Sequence, residues 1–66
     1  MSTAKVIEIS STSSKSFEDA ISEGIKKASQ SVHNIKGAWI SEQKVEVENG
    51  VVTAYRVDMR ITFVLD

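Results

Sequence analysis

From Val51 to Asp66 the chain alternates almost without a break. Val51, Thr53, Tyr55, Val57, Met59, Ile61, Phe63 and Leu65 fall on one side, and Val52, Ala54, Arg56, Asp58, Arg60, Thr62, Val64 and Asp66 on the other. A period of two is that of a half-buried β-strand. At roughly 3.3 Å per residue the run would reach about 50 Å, several times the usual strand. An earlier alternating segment, Lys5 to Ser10, predicts a first strand with Ile7 and Ile9 on one face.

Between them the period changes. Phe17, Ala20, Ile21, Gly24, Ile25, Ala28 and Val32 form one stripe at helical spacing, opposite Glu18, Ser22, Lys26, Lys27 and Gln30. Ser16 is placed as the N-cap, with Asp19 three residues on as the capping acid. The period fails near Asn34, where the helix is expected to end. The polar run from Ser10 to Lys15 is expected to be a loop. It lacks the glycines of a phosphate-binding loop, so turn and cap is the reading preferred.

Ala38 to Glu48 predicts a second strand, and Asn49-Gly50 predicts a two-residue hairpin turn. An unbroken ladder from that turn sets Glu48 against Val51, Lys44 against Tyr55, Gln43 against Arg56, Ile40 against Met59 and Trp39 against Arg60. Directly opposed residues share a face. Ala38 and Ile40 therefore join the Met59/Ile61 side that packs on the helix. Trp39, Ser41, Gln43, Val45 and Val47 join Arg56, Asp58 and Arg60 on the side without a helix. The expected fold is α+β, a β-α-β-β chain with a three-stranded antiparallel sheet and one helix, in a single domain over residues 1–66.

Composition sharpens this picture. Sixty-six residues give a marginal core, and small domains compensate with disulfides, metals or oligomerisation. There is no cysteine and only one histidine, His33, so disulfides are excluded and ordinary zinc sites disfavoured. Assembly with other copies is the remaining expectation. The net charge is −1 with acids and bases interspersed, which gives no basic stripe for nucleic acid. No segment is apolar enough for a signal peptide or membrane span, so a cytoplasmic location is expected.

No catalytic constellation stands out. The serines lack a positioned base, and His33 sits at a helix end, so the chain is not expected to be an enzyme. Glu42, Glu46 and Glu48 form an acidic ridge at period two. They could hold a hard cation where symmetry copies multiply the ligands. Trp39 with Gln43, Arg56, Asp58 and Arg60 supports two readings. The indole is an interface anchor, or it stacks on a flat aromatic ligand whose polar edge meets Arg56 or Gln43.

Val6-Ile7-Glu8-Ile9, Thr12-Ser13, Ser16-Phe17, Ser31-Val32-His33-Asn34-Ile35 and Tyr55-Arg56-Val57-Asp58-Met59-Arg60-Ile61-Thr62-Phe63 together resemble the dodecin family over nearly the whole chain. The resemblance implies a sheet partly wrapped around the helix and a hollow homododecamer. It implies a non-enzymatic binder that stores or sequesters flavin (riboflavin, FMN or FAD) stacked between tryptophans of neighbouring subunits. Coenzyme A or calcium binding, or a scaffold role, is the alternative it implies. The family's tryptophan position falls on Gly37 and its glutamine position on Arg56, while Trp39 lies two residues further along the strand. The candidate flavin-contact residues are therefore Trp39, Arg56, Gln43 and Gly37, and the expected partners are further copies of the chain and a small molecule.

Overall fold

The computed structural model describes residues 3–65. Four elements follow in order: β1 (Ala4–Ser13), α1 (Phe17–Ala28), β2 (Ile35–Glu48) and β3 (Val51–Val64). The strands form one antiparallel sheet in the order β1-β3-β2, so the last strand lies in the centre. The fold is the β-α-β-β sheet and helix expected. The last strand ends at Val64, with Leu65 outside it, and Asp66 lies outside the described residues.

The core sits where α1 crosses β1 and β3. Val57, Met59, Ile61 and Ala20 are fully buried, with Ile7, Ile9, Phe17, Ile21, Ile25, Ala28 and Ile35 packed around them. Phe17 meets the ring of Tyr55 edge-on, with centroids 5.2 Å apart. Gly24 is required by the close approach of helix and sheet. A Cβ there would lie 2.6 Å from Met59 Cε and 2.9 Å from Ser11 Cβ.

Both ends of α1 depart from simple periodicity in instructive ways. Ser16 caps the helix as expected, its Oγ accepting from the Asp19 backbone N–H at 2.9 Å. The expected loop from Ser10 is instead strand as far as Ser13, because Thr12 pairs with Arg56 and Ser13 with Tyr55. Ser13 is buried yet satisfied. Its hydroxyl donates to Asp19 Oδ2 at 2.7 Å and accepts from the Lys15 N–H at 2.9 Å. At the other end the helix stops at Ala28, six residues before the expected end at Asn34. Ser29 Oγ donates to the carbonyls of Ile25 and Lys26, and the N–H groups of Gln30 and Ser31 reach back only three residues. Such local bonds compete with the helical ladder. The chain then reverses at Asn34, whose φ is +63°, and β2 begins at Ile35 rather than Ala38.

The hairpin turn is as the sequence predicts, with positive φ at both Asn49 (52°) and Gly50 (77°). The ladder beyond it is not. Glu48 faces Val51, and Ile40 and Trp39 face Met59 and Arg60, as an unbroken register requires. Between them the ladder slips by one residue at Thr53 and slips back at Ser41. Lys44 therefore faces Arg56 rather than Tyr55, and Gln43 faces Val57 rather than Arg56. A bulge places two residues against one and frees a backbone group. A third shift lies at Lys36, near the start of β2. At the other two the extra residue bonds across the ladder: Ser41 Oγ donates to the Asp58 carbonyl at 3.0 Å and Thr53 Oγ1 to the Glu46 carbonyl at 3.3 Å.

Candidate functional site

The two bulges decide what the helix-free face of the sheet displays. Because alternation is strict between bulges, every residue from 42 to 47 lies on the face opposite to that of an unbroken ladder. Gln43, Val45 and Val47 move to the helix side, opposite Val57, Tyr55 and Val52. Glu42, Lys44 and Glu46 take their places beside Asp58, Arg56 and Ala54. The expectation that Gln43 stands beside Arg56 on the helix-free face is corrected accordingly. Trp39, Arg56 and Gly37 stay on that face as expected.

Across the three strands the helix-free face is organised in rows. Glu8, Arg60 and Trp39 form one; Ser10, Asp58 and Glu42 the next; Thr12, Arg56 and Lys44 the third. Val6, Thr62 and Gly37 close the end beyond Trp39. The first row is linked. The Arg60 guanidinium lies 5.9 Å from the Trp39 ring centroid, and Arg60 Nε is 3.4 Å from Glu8 Oε2. All three side chains are about half exposed or more, so this chain of contacts orients the indole more than it stabilises the fold.

The second and third rows border a cavity of about 170 Å³ lined by Glu42, Gln43, Lys44, Arg56 and Asp58. Gln43 borders it although its register partner is on the other face, since β2 is an edge strand. Glu42 and Asp58 are direct cross-strand partners, as are Lys44 and Arg56. Like charges directly opposed are unfavourable unless something lies between them. Arg56 Nε is buried without a hydrogen-bond partner. A buried donor left in this way costs about 1–3 kcal/mol, which marks the row as incomplete in the isolated chain.

A sequence model of the family described as Dodecin matches residues 3–66. The chain belongs to the dodecin family. The curated "Calcium dodecin" of Mycobacterium tuberculosis is 36% identical over 63 residues, covering 96% of this chain and 89% of that protein. The dodecin from Streptomyces davaonensis superposes with a TM-score of 0.93 at 32% identity, covering 98% of this chain and 96% of the other. The crystal structure of the M. tuberculosis calcium dodecin, described as calcium chelating, superposes with a TM-score of 0.83 at 35% identity, covering 98% and 93%.

Within this dodecin the spacing of Trp39 and Arg56 tests the fit of a flavin. Trp39 lies opposite Arg60, and Arg56 is four residues further along β3, about 13 Å away at strand spacing. A ring system stacked on Trp39 would have to extend along the strand to meet Arg56 of the same chain. One face of the indole already carries Arg60. A divalent cation is tested by its ligand number. Calcium takes six to eight oxygens, and no group of three or more histidine, aspartate or glutamate side chains is gathered by one chain among the described residues. Two carboxylates from one chain would need oxygens from further copies to complete such a shell. No helix of the described residues is long and apolar enough to cross a membrane.

Periodicity placed Glu42 in an acidic ridge with Glu46 and Glu48 but missed its pairing with Asp58, and it did not single out Lys44. The available sign was the pair of hydroxyl residues, Ser41 and Thr53, inside otherwise regular strands.

Proposed function

We propose that this dodecin is a non-enzymatic, homododecameric small-ligand-binding protein whose helix-free face takes a divalent cation, with calcium the first candidate. The observation that carries this reading is the bulge at Ser41, which turns Glu42 onto the face of Asp58 and sets two carboxylates in direct register. Bulges of this kind re-aim side chains beside functional sites. Neither carboxylate makes a hydrogen bond or ion pair among the described residues. Symmetry copies would complete the oxygen shell, and the resemblance of this chain to a calcium dodecin over 96% of its length supports the choice of ion.

Calorimetric titration of calcium into chelator-treated protein tests it. Saturable heat and a raised melting temperature are expected, both lost when Glu42→Gln and Asp58→Asn are combined. An unmodified protein that ignores calcium would sink the reading.

The exposure of Trp39, half open on the same face, supports a second reading in which a flavin stacks on the indole face away from Arg60 and meets polar groups of a neighbouring subunit. Titrating riboflavin and FMN separates the two. Strong quenching of flavin fluorescence that disappears in Trp39→Ala would favour the flavin, and unchanged fluorescence would leave the cation.

A further inference from the structure

The tip of the β2–β3 hairpin brings a carboxamide next to an open backbone nitrogen. Asn49 and Gly50 are both exposed, with φ of 52° and 77°. Among the described residues neither the Asn49 side chain nor the Gly50 N–H makes a hydrogen bond. A Cβ built on Gly50 would meet nothing within 4 Å. The Gly50 nitrogen therefore carries no side chain beside it and no bond that must break before it reacts.

Asn34 supplies the contrast. It is also exposed and also has positive φ, at 63°. Ile35 follows it, paired with Phe63 in the sheet. The branched Cβ of Ile35 is stiff and crowds its own nitrogen. One backbone region thus occurs at two asparagines, one followed by an open nitrogen and one by a hindered nitrogen.

We infer that Asn49 is a site of spontaneous covalent modification in the folded protein. The Gly50 nitrogen gives up its proton and attacks Asn49 Cγ, closing a five-membered succinimide ring. The carboxamide C–N bond breaks, and ammonia leaves with a proton returned from solvent. Water then opens the ring. Addition at Cγ restores the normal backbone as aspartate, and addition at the α-carbonyl leaves isoaspartate. One water is consumed and one ammonia released, with no oxidant or cofactor. Isoaspartate routes the main chain through Cβ and Cγ, one atom longer. Because turn type and loop length fix a hairpin's register, that product cannot keep the two-residue turn.

The experiment ages the assembled protein at mildly alkaline pH and digests it with trypsin. Cleavage after Lys44 and Arg56 isolates residues 45–56, in which Asn49 is the only side-chain amide, and residues 28–36 carry Asn34 as internal control. Mass spectrometry is expected to show the amide-to-acid shift in the first peptide while Asn34 keeps its amide. Part of the product should accept a methyl group from isoaspartyl methyltransferase. The aged protein should also melt below Asn49→Asp, which reproduces the new charge without the added backbone atom. An Asn49 that outlasts Asn34, or one that converts only after unfolding in guanidinium, overturns the inference. Melting equal to that of Asn49→Asp overturns the claim that the turn is lost.

Discussion

Ser41 and Thr53 place hydroxyls on carbonyls of the opposite strand, at 3.0 Å and 3.3 Å, where each insertion disturbs the ladder. They act as adaptors where their neighbours change the side on which they emerge, each hydroxyl bonding one carbonyl across the ladder. Gly24 makes a comparable contribution on the other side of the sheet, where helix and strands approach too closely for a side chain. Gly24→Ala would gain about 1 kcal/mol of helix propensity. It would also press a methyl group against Met59 Cε at 2.6 Å and Ser11 Cβ at 2.9 Å. Met59 can swing its terminal methyl away, but Ser11 Cβ is fixed to the backbone. Overpacking of this kind costs about 1–3 kcal/mol, so a lower urea midpoint is expected for the variant, and an unchanged or higher midpoint would show that the sheet gives way.

At the level of elements, the turn at Asn49-Gly50 is the most legible feature of the chain, because positive φ is available to few residues and that pair announces it. Gly50→Ala keeps φ at +77° against a Cβ, a conformation about 1–2 kcal/mol less favourable for an L-residue. Thermal unfolding should show that loss, and no loss would mean the turn adopts another geometry. The apolar faces of α1 and β3 were equally legible, since both periods hold throughout the buried segments. The helix end at Ala28 was not. Val32 continues the stripe, but the Ser29 hydroxyl shares the Ile25 and Lys26 carbonyls and the N–H groups of Gln30 and Ser31 shift to three-residue bonds. The faces of residues 42 to 47 were misplaced for a related reason. An alternating segment retains its period after a one-residue slip, so hydropathy reports that Glu42 and Gln43 differ but not which side each takes.

The whole chain is far from compact. Its radius of gyration is 13.6 Å and its extents are 51 × 20 × 13 Å, whereas a compact domain of this length has a radius near roughly 11 Å. The excess lies in the hairpin, which runs past the helix with Ile40, Val45, Val47 and Val52 exposed on the helix side. So much bare apolar surface favours burial against further copies. Val45→Glu, which places a charge in that stripe, should lower the particle mass measured by light scattering after gel filtration. An unchanged mass would place the subunit contacts elsewhere.

The central position of β3 also has a temporal consequence. β2 reaches it through a two-residue turn, while β1 must return across about forty residues of intervening chain to pair Ser13 with Tyr55. Closing the short loop is entropically far easier, and hairpins form within microseconds. The hairpin is therefore expected to form before β1 docks, with the helix completing the core afterwards. In such a sequence of events, the bare apolar arm exists earlier than the domain that carries it.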